Sequence, residues 1–323
     1  MTDPAGPVAA LPRSRLHLQF LLDNAANPDL VLFRDESMRA PLEHHFPGRT
    51  LFLGRETRPG RSPASFLAAR RANRAYYPAV AALLAPHRFA RTILFLEGEP
   101  LERFLQTLPN LGAIELWEDG LSHYVDLTSD RWYAARGAVQ AAAGFYARDI
   151  TRRRIDRSTV TVRDRFERRN LVLNAPAEPP TTRNELLLIG SPLVEDRIVG
   201  EARFRAALAE VAAASPCPVR YLPHPREDLA RLAPSLTSAA ITREPNPEGL
   251  IAHAAHYRYT AYAAALSTGL LDLGRYQRSI FLPGLFGLAR AARVLRGWPA
   301  NPLALADDGP GLRRFLEALP HEA

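Results

Sequence analysis

The feature that most limits what this chain can become is an alternation of short apolar runs with amphipathic stretches, present in two series separated by the Pro-rich string NAPAEPPTTRN at 174–184. Short apolar runs bounded by turn formers predict buried strands, and apolar residues three and four apart between them predict helices laid on a sheet. In the first series strands are expected at 6–11, 29–34, 50–54, 92–97 and 113–117, with helices at 16–26 and 64–84. Residues 131–170 are expected to follow as helix and then a polar, arginine-rich stretch. The second series predicts strands at 185–189, 219–222, 239–243 and 260–266, and helices at 202–214 and 247–255. The expected organisation is an N-terminal unit 1–175, a linker 174–184 and a C-terminal unit 185–323, both units α/β. A length of 323 residues holds two domains of ordinary size.

Composition removes several chemistries. All 41 basic residues are arginine, which excludes a lysine Schiff base and a Walker-type lysine. Cys217 is the only cysteine, so no intrachain disulfide or cysteine-built metal site can form. The formal net charge of +7 favours anionic partners such as nucleotides, acidic glycans or phospholipid head groups. No apolar run approaches the roughly 18 to 20 residues of a membrane span, and Met1 to Leu11 lacks the pattern of a secretory leader. A cytoplasmic location is therefore expected.

Three strings stand where strands should end. Ligands of parallel α/β sheets bind at such ends. Glu118-Asp119-Gly120 closes the strand at 113–117, and the glycine permits a tight turn that leaves the carboxylates at the sheet edge. His224 lies between Pro223 and Pro225, which prevent a helix or central strand from continuing, so an imidazole is held at a strand end. Arg226 and Glu227 are either its partners or the opening of the next helix. Ser267-Thr268-Gly269 can present two hydroxyls and consecutive amides to a phosphate at a helix start. Singly, the three have ordinary readings as a turn, a surface histidine and an N-cap. In combination they supply a base, an acid and a phosphate cradle.

WEDG at 117–120, LPHPRE at 222–227 and LSTGL at 266–270 resemble the acidic-acidic-Gly, His-Pro and Ser-Ser/Thr motifs of bacterial sialyltransferases of the GT-B fold. The similarity is to the polysialyltransferase and lipooligosaccharide sialyltransferase group, and the segments PRSRLHLQFLL, DLVLFRD and LLLIGSPLVED share it. The resemblance implies a GT-B pair of Rossmann-like domains and an inverting, metal-independent transfer of an acidic sugar from a CMP-activated donor to a hydroxyl of a glycan or glycolipid. It implies no cofactor, the CMP-sugar being a substrate, and no nucleic-acid partner. Asp119, or its neighbour Glu118, would take the proton of the acceptor hydroxyl. Gly190, Ser191, His224, Pro225, Ser267 and Thr268 would bind the nucleotide, with His224, Ser267 and Thr268 on the CMP phosphate. Glu248 would hold the ribose hydroxyls, its ordinary reading being an exposed first-turn glutamate.

Arg13 and Arg15, in the first strand-to-helix loop, are candidates for the donor carboxylate, against a reading as loop arginines. The segment 280–298 mixes large apolar residues with Arg290, Arg293 and Arg296 and reads as a helix. It either packs back across the other domain, the expected outcome, or lies on an anionic membrane as a peripheral contact. Two other functions fit the composition: a non-catalytic module binding nucleic acid or acidic polysaccharide, and a GT-B-like epimerase or hydrolase.

Overall fold

The computed structural model describes residues 6–23, 26–60, 62–96, 98–117, 120–121, 124–125, 127, 130–147, 161–163, 180–245, 249–273, 275–299 and 301–320. Glu118, Asp119, Glu248, most of the arginine-rich stretch and linker positions 174–179 lie outside them. The chain divides into two units: 1–119 with 128–172, and 120–127 with 173–323.

The first unit carries strands β1 (Val8–Leu11), β2 (Leu30–Phe33), β3 (Thr50–Phe52), β4 (Arg91–Leu94), β5 (Ala113–Trp117) and β6 (Thr161–Arg163). Helices α1 (Arg15–Asp23), α2 (Arg39–His45), α3 (Pro63–Leu84), α4 (Pro100–Leu105) and α5 (Asp130–Ala142) connect them. All neighbouring pairs are parallel, in the order β3-β2-β1-β4-β5-β6. Period-two alternation sends consecutive residues to opposite faces. Leu11, Leu32, Leu94 and Leu116 pack with Val80 and Leu84 of α3, while Ala10, Ile93 and Trp117 pack with Phe20 and Leu21 of α1. Both faces are thus buried, as βαβ crossovers require. Ser62 and Pro63 start α3, the Ser62 hydroxyl accepting from the Ser65 amide at 3.1 Å.

The second unit repeats the plan with β7 (Thr181–Ile189), β8 (Val219–Leu222), β9 (Thr242–Arg243), β10 (Tyr257–Ala264), β11 (Ser279–Phe281) and β12 (Ala304–Leu305). Its helices are α6 (Glu201–Ala214), α7 (Leu229–Ser238), α8 (Leu250–His256), α9 (Gly269–Asp272), α10 (Ala289–Arg296) and α11 (Gly309–Glu317). The order is β12-β11-β10-β7-β8-β9, again all parallel. Counted along each unit, both sheets have the strand order 3-2-1-4-5-6 of doubly wound dinucleotide-binding folds. The reversal of direction falls between β1 and β4 in one and between β7 and β10 in the other.

The structure corrects four expectations. β7 begins at Thr181, inside the expected linker, because Arg183 pairs with Glu244 at 2.5 Å and stacks on Tyr257, which holds the strand's first residues to the sheet. The polar stretch after α5 contains β6. The strand expected at 239–243 is reduced to β9, since Ala239 and Ala240 close α7 and Ala240 takes a positive φ of 55°. The segment 280–298 is no continuous helix: Phe281, Leu282, Leu285 and Phe286 are buried in the core and only α10 is helical. The apolar residues that made it read as a membrane-binding face are occupied in packing. Among the described residues no helix is long and apolar enough to cross a membrane.

Candidate active site

The register of the second sheet brings three loops to one level. Ile189 is the partner of both Leu222 and Ala264, so β7, β8 and β10 end side by side. Gly190-Ser191, His224-Pro225 and Ser267-Thr268 follow from those ends, around the point where strand order reverses. Backbone proximity there is tight. A side chain at 190 would collide with the Glu227 carboxylate and stand 2.9 Å from the His224 amide and from the Tyr221 hydroxyl. Only glycine allows that approach. The buried Ser191 hydroxyl donates to the Leu266 carbonyl at 2.7 Å, tying the β7 loop to the β10 loop.

Glu227 organises the histidine loop. One carboxylate oxygen accepts from the His224 amide and the other from the Tyr221 hydroxyl, both at 2.7 Å, and the carboxylate is buried. Burial pushes its pKa up to about 7, against the pull of these two donors. Of the two readings open for Arg226 and Glu227, the structure favours partners: α7 starts only at Leu229, capped by Asp228, whose Oδ1 accepts from the Ala230 amide at 2.9 Å. Arg226 pairs with Asp196 through two contacts of 2.9 and 3.0 Å.

The His224 ring is half-buried, and its Nδ1 accepts from the Arg226 amide at 3.1 Å. A ring nitrogen that accepts carries no proton, so the neutral ring is protonated at Nε2. Burial first, and the Arg226 charge second, lower the histidine pKa. At neutral pH the loop therefore offers a neutral N–H donor of fixed tautomer. Pro225 is exposed and makes the turn.

Ser267 and Thr268 are also donors in waiting. The Ser267 hydroxyl accepts from the Gly269 amide and the Thr268 hydroxyl from the Leu121 amide, each at 3.1 Å, which leaves both protons to donate outward. The expected run of open amides is otherwise employed. Gly269 donates to the Ser267 side chain, and Leu270 and Leu271 donate to the Ser267 and Thr268 carbonyls at 3.3 and 2.8 Å. α9 is a single turn of four residues, so hydroxyls rather than a helix terminus supply the polarity here.

Gly120 meets the same residue. A Cβ at 120 would lie 2.5 Å from the Thr268 hydroxyl oxygen and 3.0 Å from its methyl carbon. Residues 120–127 belong to the second unit through this contact, through Tyr124 stacked on Trp298 at 5.1 Å, and through Arg290 donating to the Leu127 carbonyl at 3.2 Å. The glycine expected to turn the chain after the acidic pair thus also permits a close approach to Thr268.

Arg13 and Arg15 separate. Arg13 is ion-paired with the fully buried Glu102, whose pKa burial raises to about 7 while Arg13 pulls it down. Arg15 is exposed and has no ion pair among the described residues. Glu227 was visible in the sequence only as a neighbour of His224, and its burial three positions later is the signal that marks its role. Glu102 gave no local signal, because its partner lies 89 positions away. Among the described residues no group of three His, Cys, Asp or Glu side chains could hold a metal ion.

No protein-family model and no curated sequence matches the chain. Solved structures do resemble it in fold. The N-terminal domain of Candida albicans trehalose-6-phosphate phosphatase aligns over 98% of this chain and 89% of its own, with a TM-score of 0.50 and 9% identity. UDP-GlcNAc 2-epimerase of Methanocaldococcus jannaschii aligns over 98% and 93%, with a TM-score of 0.49 and 11% identity. An α/β-galactoside α-2,3-sialyltransferase of Photobacterium phosphoreum aligns over 93% and 97%, with a TM-score of 0.45 and 11% identity. Two tandem Rossmann-like units of this order give the chain the α/β fold of the GT-B class.

Proposed function

We propose that this protein is a glycosyltransferase, inverting and independent of metal, that moves an acidic sugar from a CMP-activated donor to a hydroxyl of a glycan or glycolipid. The observation that carries the proposal is the set of neutral donors at the strand-order reversal of the second unit: the Nε2–H of His224 and the hydroxyls of Ser267 and Thr268. Each uses its acceptor atom internally and keeps a proton to give. Such a set suits a phosphate that gains charge as its bond to the sugar breaks.

On this reading CMP leaves as a phosphate monoester. His224 donates to it and lowers the charge on the breaking bond, while Ser267 and Thr268 hold its other oxygens. Gly190 lets the nucleotide approach the backbone, and Glu248 takes the ribose hydroxyls. Asp119 or Glu118 removes the acceptor proton.

Calorimetry with CMP, CDP, UMP and UDP tests the donor class. Preferential binding of a cytidine nucleotide is expected. No affinity for either cytidine nucleotide would end the proposal, and preference for UDP would assign another donor.

A further inference from the structure

The first unit holds a cavity of about 600 Å³ that none of these roles uses. It lies beyond the carboxyl ends of β1 and β2, where Arg13 and Arg34 enter it, together with Arg58 from the loop after β3. An adjoining pocket of about 290 Å³ shares those three arginines and Glu56. The opposite wall is one face of α5. Trp132, Ala135 and Val139 follow helical spacing along it, and Trp132 and Val139 are 56% and 61% exposed.

The charged wall is expensive in stability. Arg34 approaches Glu56 at 2.6 Å, with Glu56 only 7% exposed, and Arg13 pairs with Glu102, which is 0% exposed. Neither oxygen of Glu56 has a hydrogen-bond donor in good geometry, nor has Oε2 of Glu102. Burying such pairs costs more in lost hydration than it returns unless every lone pair is satisfied. Two of them around one open cavity mark a site kept for binding. Arg136 is matched by Glu99 at 2.8 Å, whereas Arg58 is exposed and has no ion pair among the described residues. With Glu102 counted behind Arg13, guanidinium groups at the cavity exceed carboxylates by one.

An apolar face with an indole and a surplus guanidinium match two features of one ligand class. We infer that this cavity binds an acidic saccharide, with a sugar ring against Trp132 and the acid group on Arg58 and Arg34. That the ligand is a saccharide rests on the glycosyltransferase reading. The acid group belongs either to the acceptor or to the donor sugar, and the chemistry of the site is the same for both.

The test is calorimetry on the full chain without nucleotide. The probes are the methyl glycosides of N-acetylneuraminate, Kdo and glucuronate, the methyl esters of the same sugars, and inorganic phosphate. At least one acid should bind, with its ester weaker by about tenfold or more, the worth of one charge-assisted hydrogen bond. Arg58→Ala and Trp132→Ala, both at exposed positions, should each weaken that binding by about tenfold as well. CMP titrated into the same variants should bind as in the parent, which separates failure at this cavity from failure of the nucleotide site. Displacement of the bound acid by a CMP-activated acidic sugar, but not by CMP, would assign the site to the donor; retention would assign it to the acceptor. Equal binding of acid and ester, unchanged binding in both variants, binding of phosphate alone, or no binding of any acid would each overturn the inference.

Discussion

The two units share a strand order and differ in what their strand ends carry. In the second unit the loops at the reversal hold neutral hydrogen-bond donors kept close by glycine: Gly190, His224, Ser267 and Thr268. In the first unit the corresponding ends hold guanidinium and carboxylate groups in pairs, Arg13 with Glu102 and Arg34 with Glu56. One topology thus supports a neutral donor set in one sheet and a charged set in the other. The contrast shows that the fold supplies the place and the loops supply the chemistry.

The largest effect is expected on the charged side. Arg13→Ala strands Glu102 without its ion pair and is expected to cost about 3 kcal/mol in denaturant unfolding, the low end for a broken buried pair because the carboxyl can take up a proton. A loss under about 1 kcal/mol would show that the pair is solvated. On the neutral side, Gly190→Ala forces a methyl group onto the Glu227 carboxylate and the His224 amide. It should destabilise by about 1–3 kcal/mol and weaken CMP binding, whereas Gly200→Ala, with open space around it, should leave CMP binding unchanged.

A smaller effect sharpens the role of burial. Glu227 and Glu102 both titrate near 7 when folded, above their ordinary 4.5, so the folded chain binds more protons in that interval than the unfolded chain. Stability should therefore fall as pH rises from about 4.5 to 7, and level off above. Glu227→Gln keeps an acceptor for the His224 amide and removes one titration, so the fall should be shallower in chemical denaturation series across that range. An unchanged slope would mean that Glu227 titrates normally. The smallest effect is expected at Arg15: Arg15→Ala should leave stability and CMP affinity within error.

Much of this arrangement could be read from residue order. The runs at 113–117 and 219–222 are strands over the expected residues, because each is a short apolar run stopped by a turn former. Pro223, Pro225 and Asp228 likewise mark where β8 stops and α7 starts. Elements set by distant partners were not legible. The first residues of β7 are strand through Glu244, Tyr257 and Tyr259, and the apolar residues of 280–288 are core because another sheet strand and α11 cover them. The candidate sites divide in the same way. His224 and Ser267 stand out as candidates through their sequence neighbours, whereas Glu56 and Glu102 acquire meaning only from arginines brought to them by the sheet.

His224 is assigned here as a donor through Nε2 to a nucleotide phosphate at the second unit's strand ends. Calorimetric titration of CMP and of cytidine into the parent chain and into His224→Ala tests it most directly. CMP should bind the parent more tightly than cytidine does, and the variant should lose about tenfold in CMP affinity, the worth of one hydrogen bond to a charged group, with cytidine affinity unchanged. Equal affinity of the parent for CMP and cytidine, or a variant that binds CMP as the parent does, would contradict it.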